Sequence, residues 1–208
     1  MMKFGKKMMQ NQKSLLNYSA IILAAGESSR MGSSKSFLKY NEHELFIQHI
    51  ISEYINLGCN SIIVVTNVTD AKWFIDNANI LPKNLFILIN HHPEWHRFYS
   101  LKLAAREAIK NDYVFLHNVD NPFVNVDVLI ELMTNRQEAE YIIPEYKGKG
   151  GHPILISQKV IHDIVKENQD QIHLKDFLNR HTKKKVVVED EKILVNINNI
   201  DEYKSFFK

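Results

Sequence analysis

The feature that most restricts the fold is a regular exchange of two hydrophobic periods along the chain. Short apolar runs at 19–23 (Ser-Ala-Ile-Ile-Leu), 61–65 (Ser-Ile-Ile-Val-Val), 85–89 and 113–117 alternate with segments whose apolar residues recur every three or four positions. Between 43 and 57 those positions are Phe46, Ile47, Ile50, Ile51, Tyr54 and Ile55, and Gly58 stands where the helix should stop. Further helices are predicted near 69–78, 99–110 and 125–135. Strands that are apolar at every position leave neither face in water, so the helices between them must cover both sides of a mostly parallel sheet. After residue 140 the order loosens. Strands at 140–144, 153–156, 185–189 and 193–197 are expected there, with helices at 158–167, 173–181 and 201–207. No internal repeat and no Pro-, Gly- or Ser-rich linker divides the chain. The prediction is one three-layer, Rossmann-like α/β domain over 18–208, preceded by a flexible basic tail over 1–17 with Lys3, Lys6, Lys7 and Lys13.

Composition excludes several function classes. Of 208 residues, 26 are Lys or Arg and 24 are Asp or Glu, a formal net charge of +2 that is too balanced for a protein built around a nucleic acid. A single cysteine, Cys59, rules out an internal disulfide or a multi-cysteine metal site, and the cytoplasm is the expected compartment. No run approaches the ~20 apolar residues of a membrane span, so no membrane partner is expected. His92 and His96 lie four apart but at the start of a loop, so zinc is not expected. Cys59 follows a helix stop and precedes a buried strand, and no Gly-x-Ser-x-Gly elbow is present, so no covalent nucleophile is expected.

Glycine is scarce, 7 in the chain, and five of the seven fall within 26–32 and 148–151. The first cluster lies in the turn after the first strand, where open parallel sheets hold phosphates. Leu23, Ala24, Ala25 and Gly26 let a ligand approach the backbone, and Arg30 and Lys35 add positive charge beside it. The glycine spacing fits neither the Walker pattern nor the dinucleotide fingerprint, and an ordinary strand-to-helix turn with two surface bases would look the same. Asp120 follows the strand 113–117 and precedes Pro122, a place suited either to a metal-holding carboxylate or to a turn residue. The second cluster, Gly148-Lys149-Gly150-Gly151-His152-Pro153, is either a mobile hairpin or a close ligand approach in which His152 offers one donor and one acceptor.

Taken together these residues resemble the MobA-like NTP transferase family. Leu23-Ala24-Ala25-Gly26, Arg30-Met31-Gly32 and Lys35 are similar to its signature Leu-Ala-Ala/Gly-Gly-x3-Arg-Met-Gly-x2-Lys, and the likeness runs from about 18 to 206. The resemblance implies a nucleotide-binding domain with Arg30 and Lys35 on the phosphates. In that family Ala at the place of Ala25 goes with pyrimidine nucleotides and Gly with guanylyl transfer, which favours CTP. Val119-Asp120-Asn121-Pro122 resembles the family's Gly-Asp-x-Pro element, with Asp120 the implied Mg²⁺ ligand; Val119 replaces Gly and Asn121 stands where Gln is usual. Gly148 to Pro153 resembles the Gly-x-x-Gly-His-Pro element of the molybdenum cofactor cytidylyltransferase branch, implying an acceptor role for Gly150, Gly151 and His152. Val195 to Glu202 resembles a segment whose third position supplies a second metal ligand, here Asn198, although Asn198 or Asn199 would also suit a helix cap. Pro93-Glu94-Trp95 through Ser100 and Leu103 resembles a stretch beside the nucleotide, so Ser100 is expected near base or ribose; Phe98 replaces its Gly and His92 its Asn.

The activity so implied is transfer of CMP from CTP or another pyrimidine NTP to a phosphorylated small-molecule acceptor, molybdopterin first, with an apo-molybdoenzyme as a later recipient. Lys35, Arg30 and Asp120 are the expected catalytic residues. A cytidylyl- or uridylyltransferase acting on a sugar or alcohol phosphate is the alternative enzyme, and a non-catalytic carrier of a nucleotide-bearing cofactor is the alternative of another class.

Overall fold

The first strand sets the layers. In the computed structural model, which describes residues 16–26 and 31–207, β1 (Tyr18–Ala24) is buried at all of its positions. Its side chains alternate between two cores: Ala20, Ile22 and Ala24 enter one, Ile21 and Leu23 the other. β2 (Ser61–Asn67), β3 (Leu85–Asn90) and β4 (Tyr113–Asn118) complete the parallel half, and the β3-β2-β1-β4 order places β1 at its centre.

Helices cover both faces. α1 (Phe46–Leu57) and α4 (Val126–Thr134) lay Ile47, Ile50, Tyr54, Leu129 and Leu132 on the first core. α3 (His96–Ala108) and α5 (Gln158–Lys166) lay Leu101, Ala104, Ala105, Val160 and Ile164 on the second. α1 ends at Gly58, whose φ of 93° is the left-handed cap that glycine provides, and its N–H donates to the carbonyls of Tyr54 and Ile55. α2 (Val68–Asp76) is capped by the side chain of Asn67.

Beyond β4 the sheet turns mixed. β7 (Ile154–Ser157) runs antiparallel between β4 and β5 (Tyr141–Tyr146), β6 (Lys149–Gly150) forms a hairpin with β5, and β8 (Lys183–Val187) runs parallel to β5. With α6 (Leu174–Leu178) and α7 (Ile200–Phe206), the described residues form an α/β fold of eight strands and seven α-helices.

The tail expected over 1–17 lies outside the described residues as far as position 15. The strand expected at 193–197 is not a strand. A 3-10 turn occupies Glu191–Leu194, and the polar groups that a strand would pair go elsewhere: the Ile197 N–H donates to the Asp120 carbonyl at 2.7 Å, and the Val195 carbonyl accepts from Asn121 Nδ2 at 2.6 Å. The helix expected at 99–110 starts earlier, at His96, directly after a turn at Pro93–Trp95, and the helix expected at 173–181 is reduced to α6.

Candidate active site

A cleft of ≈ 990 Å³ opens at the carboxyl ends of β1 and β4, where an open parallel sheet presents its ligand site. Leu23, Ala24, Ala25 and Gly26 wall its first part. Among the described residues, a Cβ built on Gly26 would meet no atom within 4 Å, so none of them makes a packing demand for this glycine, which lines the cleft. Gly32, at φ +67°, meets the conformational demand of the same loop. Arg30 lies outside the described residues.

In the same cleft, Lys35, Asp120 and Asn198 converge from three distant stretches of chain. The Lys35 ammonium is 3.0 Å from Asn198 Oδ1 and 3.9 Å from Asp120 Oδ2. Arg97 Nη2 approaches the same Asp120 oxygen at 3.4 Å. The other carboxylate oxygen, Oδ1, is buried without a hydrogen-bond partner among the described residues, an arrangement that costs stability unless a ligand completes it. Asp120 and Asn198 thus offer two hard oxygens to the cleft, and this donor set suits Mg²⁺. Among the described residues no group of three or more His, Cys, Asp or Glu side chains is placed to hold a metal. Two protein oxygens, with the remaining positions left to phosphate and water, is how Mg²⁺ is usually bound in nucleotide sites.

The turn that carries Asp120 is held from beneath by His117. Its Nε2 lies 2.6 Å from the Asn121 carbonyl, which can only accept, so Nε2 carries the proton and Nδ1 accepts from the Tyr54 hydroxyl at 2.9 Å. Burial holds the His117 imidazole neutral, its pKa pushed down to about 3. Asn121 holds the turn from above: its amide nitrogen donates to the carbonyls of Val195 and Lys192 at 2.6 and 3.2 Å. The segment so tied continues into Asn198.

Ser100 lines the cleft from α3 and accepts a hydrogen bond from Asn90 Nδ2 at 2.9 Å. His152 also lines it; burial lowers its pKa, against the opposing pull of Asp120. Gly150 and Gly151 do not. A Cβ on Gly151 would collide with the Ile193 carbonyl, the same carbonyl that accepts from the His152 N–H at 2.9 Å, so this glycine allows the close approach that positions His152; one on Gly150 would meet only the tip of the Ile143 side chain. Sequence reasoning missed Arg97, Asn118 and the wall formed by 171–175, all of which line the cleft. Arg97 was within reach, since it lies one helical turn before Ser100 and shares its face. The 171–175 wall carries no pattern that places it there.

Known proteins match this architecture along most of the chain. A probable molybdenum cofactor guanylyltransferase of Clostridium perfringens (strain 13 / Type A) is 29% identical over 221 aligned residues, covering 93% of this chain and 98% of its own. The molybdenum cofactor cytidylyltransferase of Escherichia coli K12 is 28% identical over 185 residues, covering 88% and 92%. Among solved structures, Rv0371c of Mycobacterium tuberculosis H37Rv superposes with a TM-score of 0.78 at 18% identity over 92% of this chain and 97% of its own. Its complex with manganese superposes at 0.72, also at 18% identity, over 91% and 97%. The MobA-like NTP transferase domain matches residues 20–186. The chain therefore belongs to the MobA-like NTP transferase family of nucleotidyltransferases.

Proposed function

We propose that this protein transfers CMP from CTP to the terminal phosphate of molybdopterin and releases pyrophosphate. The observation that carries the reading is the convergence of Lys35, Arg97, Asp120 and Asn198 in the cleft that Gly26 also lines. In this reaction an acceptor phosphate oxygen bonds to the α-phosphorus of the nucleotide as the α–β bridging bond breaks, and the electron pair leaves with pyrophosphate. No side-chain nucleophile is needed. Bound Mg²⁺, held by Asp120 and Asn198, would neutralise charge on the transferring phosphoryl group. Lys35 and Arg97 stabilise the charge that develops on the leaving oxygens, and the loop at 23–26 positions the nucleotide for in-line attack. Arg30 is assigned to the triphosphate on its place in the signature. The manganese bound by the structurally similar Rv0371c supports a divalent metal here.

The acceptor reading is supported by the names of the similar proteins from C. perfringens and E. coli, both of which refer to the molybdenum cofactor. The two names differ in the base, guanylyl and cytidylyl. Ala25, buried in the wall of the cleft, supports cytosine through the family resemblance, in which Ala at this place goes with pyrimidine nucleotides and Gly with guanylyl transfer. Transfer from GTP is the second reading, favoured by the name of the C. perfringens protein. The single cysteine, buried as a free thiol, supports the cytoplasm as compartment, and an apo-molybdoenzyme would receive the product. Pyrophosphate release, measured with each of the four NTPs, Mg²⁺ and molybdopterin or a sugar phosphate as acceptor, tests the reading: release with CTP and molybdopterin supports it, and release only with another pair replaces it. No release with any pair would leave the carrier alternative.

A further inference from the structure

The cleft extends well past the corner formed by Lys35 and Asp120. At ≈ 990 Å³ it reaches the upper end of the ~300–1,000 Å³ that encloses a single small ligand. Its far part is walled by residues 171–175, Leu178 and Asn179, by Tyr141 and Ile143 of β5, and by Lys183 at the start of β8. The floor there is apolar, with Tyr141, Ile154 and Leu178 buried. Two exposed lysines, Lys175 and Lys183, line the same part. Neither is paired with a carboxylate among the described residues, whereas the next two lysines of β8, Lys184 and Lys185, are held by Glu138 and Glu145, each at 2.7 Å. Lys183 is thus the one cation of the Lys183–Lys185 run that lines the cleft, and its charge there has no internal partner.

The wall is fixed rather than loose. Lys102 of α3, 7% exposed, reaches Asp170 Oδ1 at 2.5 Å, and this ion pair ties the chain just before residue 171 to the helix that also carries Arg97 and Ser100. One helix therefore sets both ends of the cleft. A nucleotide on the glycine loop has its phosphates beside Lys35, so it gives Lys175 and Lys183 nothing to neutralise.

We propose that this far part is a separate acceptor subsite, in which Lys175 and Lys183 hold an anionic group remote from the reacting phosphate while Tyr141, Ile154 and Leu178 pack against a ring or other apolar portion of the acceptor. The assignment to the acceptor rests on the transfer reading; the anion-binding property rests only on the two lysines and the cleft.

Inorganic phosphate and CTP, titrated separately into the ¹⁵N-labelled full chain, test the property without any acceptor. Phosphate should shift backbone resonances within 171–183, and K175A/K183A should weaken that response at least tenfold while leaving CTP affinity within twofold. No phosphate shifts in 171–183, an unchanged phosphate affinity in the double variant, or CTP shifting 171–183 as strongly as 23–35 would overturn the subsite. In pyrophosphate-release assays, K175A and K183A should each raise the acceptor KM about tenfold, the effect of losing a charged hydrogen bond, with kcat and the CTP KM within twofold. K175R, which keeps the charge, should keep most of the acceptor affinity. An unchanged acceptor KM in both alanine variants would also overturn the proposal. If the wild-type protein released no pyrophosphate with any NTP, the transfer reading would fall, and the phosphate titration would still decide the subsite.

Discussion

The ammonium of Lys35 stands 3.0 Å from the side-chain oxygen of Asn198, a residue 163 positions later in the chain. With Asp120 Oδ2 3.9 Å away on the other side, the lysine occupies the corner between the two oxygens assigned to the metal. Lys35→Ala and Asp120→Asn should each lower the rate of pyrophosphate release ~10²-fold or more, as loss of a preorganised charge-stabilising group commonly does. Asp120→Asn also removes a buried carboxylate whose Oδ1 has no hydrogen-bond partner among the described residues, so its thermal midpoint should lie within a few degrees of wild type. Circular-dichroism melts beside the kinetics check both; turnover near wild type in either variant would contradict the assignment.

Asn121 makes a second test, because it ties the Asp120 turn to the segment that delivers Asn198. Asn121→Ala should destabilise the fold by ~1–3 kcal/mol, since it strips the partly buried carbonyl of Val195 and the buried carbonyl of Ile193 of their amide donor. Turnover should fall as well, through a displaced Asn198, while CTP binding changes little. Urea unfolding and calorimetric titration with CTP measure the two effects; a variant of full stability and full turnover would show that the tie is dispensable.

Base choice is tested at Ala25. Ala25→Gly should shift the ratio of kcat/KM for GTP over CTP toward GTP by ~10-fold or more, the size of effect that one methyl group exerts in an enclosed site. A ratio unchanged within twofold would place the discrimination elsewhere in the cleft.

His117 gives a pH dependence with a definite sign. Its folded pKa is lowered to about 3 from the ordinary 6.5, mainly by burial, so the native state holds it neutral and the unfolded chain binds the extra proton. The stability it contributes is complete above pH ~6.5 and declines as pH falls toward 3, with a slope that approaches ~1.4 kcal/mol per pH unit for one proton. His152, also lowered by burial, adds to the decline. Urea unfolding between pH 4 and 7 should show a smaller acid-side slope for His117→Gln than for wild type; equal slopes would contradict the buried neutral imidazole.

How much of this was legible in sequence follows from the range of the forces involved. The parallel half of the sheet was readable because β1 and β4 are buried on both faces and so are apolar at nearly every position. The first glycine cluster was readable as backbone with a special demand, and Gly32 stands there at φ +67°. The segment 193–197 read as a strand from its alternating Val and Ile residues, yet its hydrogen bonds go to Asp120, Asn121 and His152, partners that no local pattern names. Gly150 and Gly151 stand out in the sequence as a cluster, but the neighbours they pack against, Ile143 and the Ile193 backbone, are named by no local pattern. The far wall escaped notice for a related reason: Lys175 and Lys183 look like ordinary surface lysines until the chain closes the cleft between them.

The most direct measurement is of product and pyrophosphate together, from wild-type protein incubated with CTP, Mg²⁺ and molybdopterin and analysed by mass spectrometry. The account expects the cytosine dinucleotide of molybdopterin and pyrophosphate in equal amounts, with both lost together in Asp120→Asn. Pyrophosphate without dinucleotide, or undiminished dinucleotide formation in Asp120→Asn, would contradict it.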